Sequence, residues 1–432
     1  MEQKFRIICG HNNTVVKKIL LHNLSVKYTD PKPGLYNFDQ LGLFFADTGD
    51  VVLTREKISD AYISFLENAG INLQNIKFIS SRDKLDNKPD AIFLDVQITK
   101  KLASIIKNDT LNWILDSFVL TEYEAEWAKK IGLYFEGNPD HYYSLGSKST
   151  FRSLAKKYNF SIPKGYEKQA SIIDGAISTS LLFLQGFSEV VVKQDEGVAG
   201  LGSQRITRDK FLSHITKFNH LFTNSSTIGV TPTHSTNFIV EVWYADVTCS
   251  PSIQLHISSD GKVELLSTHI QLLNNNKMRY IGCLSNHWLD KDLHSKVETE
   301  GIALARIFSK KRYRGHLAFN AIYLKDKRLM WTEINPRRVI SSYPFQIRKR
   351  LYGEDANKKR YISKQVIKSK WCGKSIEYIL DVLSSVLFTS QKMSGIVPFD
   401  YGLLHAIGQL SLVGFGTDAD ELNEIFKYVD SI

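Results

Sequence analysis

Along residues 1–140 short apolar runs alternate with stretches of helical period. Phe5–Cys9, Val51-Val52-Leu53, Ile76–Ile79 and Trp113–Leu120 read as strands. Between them, Gly10-His11-Asn12-Asn13 turns into a helical pattern over Thr14–Leu24, and Ile58–Ala69 predicts a helix stopped by Gly70. Thr121 is placed to cap a helix that begins Glu122-Tyr123-Glu124. Such alternation predicts an α/β unit with a largely parallel sheet. Gly137-Asn138-Pro139-Asp140 reads as a boundary turn. Beyond it, Ser147–Tyr158 predicts a helix that ends before Ile162-Pro163-Lys164-Gly165. Residues 166–350 mix strands and helices, with polar loops at 223–237 and 274–277. From Ser394 onward, glycines at 395, 402, 408, 414 and 416 and a closing helix over Asp418–Val429 suggest a small α/β element. The expected fold class is therefore α/β in three parts: 1–140, 141–350, and 351–432 as a basic connector with a small C-terminal domain.

Composition narrows the function classes. The chain has 432 residues, 43% hydrophobic and 23% charged, an ordinary globular balance for about two or three domains. Lys plus Arg is 55 against 45 Asp plus Glu, a formal charge of +10 that favours an anionic ligand such as a nucleotide or an acidic peptide. No zinc-finger spacing, basic heptad region or aromatic RNA-binding signature accompanies that charge, so no nucleic-acid partner is expected. The basic run Arg348–Lys370 reads as a solvated face, although Arg338, Arg348 and Arg350 are candidates to receive an acidic substrate. Cys9, Cys249, Cys283 and Cys372 lie far apart with no C-x-x-C pair, which fits a reduced compartment. The opening residues lack a signal-peptide hydrophobic region, and no apolar run nears the roughly 18 residues of a membrane span. A soluble cytoplasmic protein with no membrane partner is expected.

The chemistry begins at Trp331-Thr332-Glu333-Ile334-Asn335-Pro336-Arg337-Arg338. Strand side chains at i and i+2 share a face, so Glu333 and Asn335 can offer oxygens to one Mg²⁺. Arg337 and Arg338 follow, within reach of phosphate oxygens beside that metal. Upstream, the strand Glu189–Lys193 ends in a lysine and leads into glycines at 197, 200 and 202 before Ser203. Glycine lets a backbone approach phosphate closely, and Lys193 supplies a point charge. Lys148 stands in the first turn of its helix, where the field favours anions, and Ser147 reads as the cap. Phe238–Tyr244 is an apolar strand broken by Glu241, fitted to an adenine ring through the backbone of Val242 and Trp243. Glu241 or Asp246 is placed to meet ribose hydroxyls. Arg279 can neutralise a transferred phosphoryl group, whereas His269 reads as structural. Each part alone also fits a plain strand, turn or surface cation. Gly373-Lys374-Ser375 mimics the end of a Walker A motif, but Lys368 stands where the first glycine is required.

Taken in order, Lys148, the Val-Val-Lys strand with its glycine loop, the Ile-Val-Glu strand and Glu333-Ile334-Asn335-Pro336-Arg337 resemble the ATP-grasp superfamily of carboxylate–amine ligases, over about residues 141–340. Gly10-His11-Asn12 after an opening strand is similar to the pre-ATP-grasp domain of pheganomycin-type peptide ligases, and Ser394–Ile432 resembles the small C-terminal domain of that group. The resemblance implies ATP and Mg²⁺ as cofactors, and a small-molecule or peptide carboxylate and an amine (an amino acid or peptide) as partners. It implies that Lys148 and Lys193 bind phosphates under the loop carrying Gly197, Gly200, Gly202 and Ser203. Glu241, Val242, Trp243 and Asp246 would hold adenosine, and Glu333 and Asn335 would bind Mg²⁺. Arg279 and Arg337 would stabilise an acyl phosphate. Asn320 stands where that family carries an acidic metal ligand, which leaves open a nucleotide-binding module without turnover. The oligomeric state stays open, a homodimer included.

Overall fold

The computed structural model describes residues 16–23, 38–81, 95–107, 112–195, 203–214 and 237–432. Its first sheet is parallel, with β1 (Lys17–Leu21) at the centre of β2 (Val51–Thr54), β3 (Lys77–Ser80), β4 (Trp113–Ser117) and β5 (Tyr134–Phe135), in the order β3-β2-β1-β4-β5. Here Lys17–Leu21 departs from the expected helix. Ile19 and Leu21 enter one core, Leu20 enters another, and all three are fully buried. A strand buried on both faces reads as a continuous apolar run, which periodicity alone does not separate from a helix. The expected strand at Phe5–Cys9 and the Gly10-His11-Asn12 turn lie outside the described residues. The other elements follow their caps. Ser59 accepts from the Tyr62 amide to start the helix Asp60–Asn68, and Gly70 ends it at φ +100°. Thr121 and Glu124 form a capping box on the helix Glu122–Ile131.

Two antiparallel sheets follow. The smaller runs β6-β9-β7-β8, from β6 (Gly165–Gln169), β7 (Glu189–Gln194), β8 (Ser203–Thr207) and β9 (Phe238–Val242). Val190, Val192, Val240 and Val242 pack inward with Leu182 and Phe183 of the helix Ile172–Leu184. The larger sheet has nine strands: β10 (Val247–Cys249), β11 (Pro251–Ile257), β12 (Val263–Leu273), β13 (Tyr280–Ser285), β14 (Gly315–Leu324), β15 (Leu329–Asn335), β16 (Arg360–Ile367), β17 (Gly395–Asp400) and β18 (Gln409–Gly416). Its order is β10-β14-β11-β12-β13-β16-β18-β17, with β15 beside β14. The helix Lys291–Lys310 covers one face so closely that a Cβ on Gly301 would stand 2.7 Å from Ile253. The strands of residues 351–432 extend this sheet, because β16 pairs with both β13 and β18.

The expected acid-receiving arginines serve the scaffold instead. Arg338 is paired with Asp116 of β4. Arg348 is buried and donates to the Lys359 carbonyl at 3.0 Å. Arg350 donates to the carbonyls of Ala46 and Asn72, binding the helix Ser342–Tyr352 to the first part of the chain. Each guanidinium fills a junction where backbone carbonyls or a buried acid need a donor, across more than 200 residues for Arg338 and Arg350 and 11 for Arg348. Among the described residues no helix is long and apolar enough to cross a membrane.

Candidate functional site

The smaller sheet supplies one wall. Strand alternation buries Val190 and Val192 and turns Val191 and Lys193 to the other face, toward a cleft of about 240 Å³. Lys193 is ion-paired with Glu241 on β9. That carboxylate is almost fully buried and also takes Nη1 of Arg152 at 2.5 Å. Arg152 is itself fully buried, donating to Glu167 at 2.9 Å and to the Pro163 carbonyl at 2.9 Å. Each oxygen of Glu241 therefore meets one cation, so its charge is balanced within the wall. The Val242 amide donates to the Lys164 carbonyl and the Trp243 amide to the Glu189 carbonyl. Neither amide is left as a donor to a base edge, although both residues line the cleft.

Lys148 opens the helix Lys148–Lys157 behind the cap Ser147. The helix start is already held by Asp195, whose carboxylate accepts from the Ser149 amide at 2.6 Å and whose carbonyl accepts from the Lys148 amide at 3.1 Å. Lys148 is buried at 6% exposure. Burial pushes its ammonium pKa below the ordinary lysine value; Glu333, Asp195 and Glu241 pull it back up, while Lys193 adds to the lowering. These charges thus share one field.

The larger sheet supplies the other wall. Ile334 points into the core, leaving Glu333 and Asn335 on the opposite face. Register sets Asn320 against Glu333, and Asn320 Nδ2 donates to Glu333 Oε1 at 2.6 Å. A bulge at Asn320/Ala321 lies beside that pair. Asn335 Oδ1 accepts from Arg337 Nη2 at 3.0 Å. Among the described residues no three His, Cys, Asp or Glu side chains form a metal cluster. One carboxylate with two carboxamide oxygens suits a single Mg²⁺ whose remaining ligands are phosphate and water oxygens.

The cleft gathers Lys148, Lys193, Ser203, Glu241, Val242, Trp243, Asn320, Glu333, Asn335 and Arg337. It does not gather Arg279 or Asp246. Arg279 is exposed in the loop before β13, whereas its neighbours Met278 and Tyr280 line the cleft. Lys277, not singled out from sequence, lines the cleft in its place. Asp246 sits in the turn after β9, between the lining residues Tyr244 and Val247. Gly197, Gly200 and Gly202 lie outside the described residues. The wall also has members sequence reasoning passed over: Arg152 and Asp195 behind it, Gln271 and Ser252 within it. Arg152 looks like any helix cation in sequence; the acidic partners that bury it lie far along the chain. The lining carries four cations (Lys148, Lys193, Lys277, Arg337) against two carboxylates (Glu241, Glu333). His269 is fully buried, and burial lowers its pKa to about 3, in keeping with a structural residue.

No family model and no curated protein matches this chain. Solved structures do. An N5-carboxyaminoimidazole ribonucleotide synthetase (PurK) in its ADP complex aligns at TM-score 0.57 and 13% identity, covering 96% of each chain. A biotin carboxylase from Campylobacter jejuni aligns at 0.56 and 13%, over 95% of this chain and 89% of its own. The N5-carboxyaminoimidazole synthase of Aspergillus clavatus, with ADP and 5-aminoimidazole ribonucleotide, aligns at 0.57 and 12%, over 97% and 100%. These are ATP-grasp structures, and the chain has their mixed α/β fold.

Proposed function

We propose that this chain is an ATP-dependent ligase that joins a carboxylate to an amine, as a peptide or amide bond. One observation carries the reading: Lys148 and Lys193 line the same cleft as Glu333, with cations in excess. That lining suits a magnesium-bearing triphosphate held between two sheets. In this reading Lys148 and Lys193 hold phosphate oxygens, and Glu241 fixes Lys193 in place. Glu333, Asn335 and the Asn320 carboxamide oxygen hold the metal, which supplies charge neutralisation at the transferring phosphoryl group. Arg337 and Lys277 flank the reacting carboxylate. A carboxylate oxygen takes the terminal phosphoryl group and ADP leaves. The amine nitrogen then bonds to the acyl carbon, the carbon–oxygen bond to phosphate breaks, and a proton leaves the nitrogen. The work asked of the protein is positioning and charge, with no protein nucleophile. The fold neighbours bear on the reading through their names alone: one is a synthetase in an ADP complex, another a carboxylase in an ATP-analogue complex.

The test is ADP release from MgATP with pooled carboxylates and amines, followed by mass spectrometry for a coupled product. ADP release that requires both substrates, and a product mass equal to their sum less water, support the reading. MgATP binding with no product from any pool overturns it. That outcome favours a second reading, a nucleotide-binding module without turnover. Its supporting observation is Asn320: a carboxamide contacts Glu333, so a single carboxylate stands where the metal would be held.

A further inference from the structure

After β15 two consecutive arginines leave in different directions. Arg337 lines the cleft, near Asn335 and over the Phe118 ring at 5.6 Å. Arg338 is buried at 5% exposure and grips Asp116 of β4, with Nη2 at 2.8 and 2.9 Å from the two carboxylate oxygens and Nε at 3.2 Å. Its guanidinium also stands 4.1 Å over Phe45. The backbone is tied at the same place: the Arg338 amide donates to the Phe118 carbonyl at 3.0 Å, and Arg337 Nη1 donates to the Arg338 carbonyl at 2.9 Å.

The location is unusual for a scaffold contact. β1 and β4 are neighbours at the point where the order of the parallel sheet reverses. The crevice beyond the carboxyl ends of such a pair is where doubly wound sheets take ligands. Here the chain's own Arg338 fills that crevice, walled by Phe45, Phe118, Tyr343 and His22. His22 Nδ1 is 2.8 Å from the Tyr343 hydroxyl, and its Nε2 is 3.6 Å from Asp116. Burial alone would raise the Asp116 pKa; the Arg338 guanidinium and the His22 contact outweigh it and hold the carboxyl well below its ordinary range. A permanent carboxylate therefore anchors the arginine.

We propose that Asp116 is a positioning residue for the cleft: it fixes Arg338, and through the 335–338 backbone it holds Arg337 against Asn335. The parallel sheet thereby sets the geometry of the reacting end from outside it. The consequence for turnover rests on the ligase reading; the clamp itself does not.

The test uses Asp116→Asn, Asp116→Glu, Arg338→Lys and Tyr343→Phe in the full chain. Tyr343→Phe removes the His22 contact from the same junction and leaves Arg338 gripped. Asp116→Asn should lower kcat for ADP release by roughly 10–100-fold, because small misplacements of a reacting geometry are costly. Its MgATP affinity should stay within about twofold, and Asp116→Glu should recover part of the loss. Arg338→Lys keeps the charge without the two-pronged grip, so it should resemble Asp116→Asn, and it carries the test if Asp116→Asn fails to fold. Tyr343→Phe should keep kcat within about twofold even where its melting temperature falls as far. Equal kcat loss in Tyr343→Phe and Asp116→Asn would reduce Asp116 to a structural contact and overturn the proposal. Hydrogen exchange separates this from the ligase reading. The amides of Arg337 and Arg338 should exchange faster in Asp116→Asn than in the wild type or Tyr343→Phe. If the wild type releases no ADP, the ligase reading falls and the exchange still decides the clamp: unchanged exchange overturns it.

Discussion

Glu241 and Glu333 stand on opposite walls of one cleft, and their surroundings differ in kind. Glu241 is buried and saturated, one oxygen on Lys193 and the other on Arg152. Glu333 is half-buried, and its paired contact is a neutral carboxamide, Asn320 Nδ2. The first arrangement is architecture: a charge that cannot be spared because two cations would lose their partner. The second is a charge left with a neutral partner at the cleft face, which the ligase reading takes as held in reserve for a ligand. Two glutamates on facing sheets thus differ in burial and partner count, where residue type does not separate them.

Breaking the buried side should have the largest effect on the fold. Removing one member of a buried charge network leaves the other uncompensated, which costs on the order of 3–5 kcal/mol. Glu241→Gln strands part of Arg152 and all of Lys193, although Glu167 still holds Arg152 Nε. The expected loss is at the lower end, about 3 kcal/mol, read by urea unfolding. Glu333→Gln should cost under about 1 kcal/mol in the same measurement, because its side chain is half-exposed. Equal losses would erase the distinction.

The converse holds for turnover. Glu333→Ala should cut ADP release by about 100–1,000-fold, the scale for removing one electrostatic group from a transition state. Equal release from Glu333→Ala and wild type would remove Glu333 from the site.

These two glutamates also show what was legible in the chain. Glu333 and Asn335 were readable because strand period places i and i+2 on one face, and Lys193 because it ends an apolar strand. The helix caps Thr121 and Ser147 were readable because capping is local. What could not be read was pairing across distance. Arg152 meets Glu241 from 89 residues away, and Arg338 meets Asp116 from 222. Arg338, Arg348 and Arg350 looked like free cations because their partners, an acid and several carbonyls, are brought in only by the fold. Lys17–Leu21 failed for another reason, since burial on both faces erases the period that separates strand from helix. Arg279 lies in the irregular loop before β13, where no strand or helix period tells which cation of Lys277 and Arg279 faces the cleft.

The glutamate comparison extends along the large sheet through a row of cross-strand neighbours: Glu333, Asn320, Ser252, His269 and Ser285. Its half-buried end faces the cleft, and toward its other end lies the fully buried His269, held neutral by burial with a pKa of about 3. The unfolded chain takes up a proton on this side chain near pH 6.5, and the folded chain does not until about pH 3. Between those values the unfolded state binds more protons, so stability falls as pH drops from 6.5. The limit from one such group is about 1.4 kcal/mol per pH unit. Asp39 and Asp400, raised to about 6 by burial, act in the opposite sense between about pH 4 and 6. His269→Leu should therefore flatten the loss of stability from pH 6.5 downward, measured as melting temperature against pH. An unchanged slope would show that His269 does not set it.

Asn320→Asp sharpens the contrast by adding the charge that the open wall lacks. Without metal, a second carboxylate at the 2.6 Å contact repels Glu333, so one of the two must hold a proton or the strands must part. With Mg²⁺, the same pair becomes a stronger oxygen site, because a second negative ligand offsets more of the cation's lost hydration. The variant should melt lower than wild type in chelator, and should recover more than wild type on adding Mg²⁺. Apparent Mg²⁺ affinity in the presence of ATP should rise several-fold, up to about tenfold, by calorimetry. Turnover discriminates further. If wild type already transfers the phosphoryl group, Asn320→Asp changes the metal requirement and leaves a product of the same mass. If turnover appears only in Asn320→Asp, the native carboxamide is what silences the cleft, and the chain binds nucleotide as its end state. If the variant gains neither affinity nor stability from Mg²⁺, Glu333 and its neighbour are not where the metal sits, and the reserve charge on the open wall has some other partner.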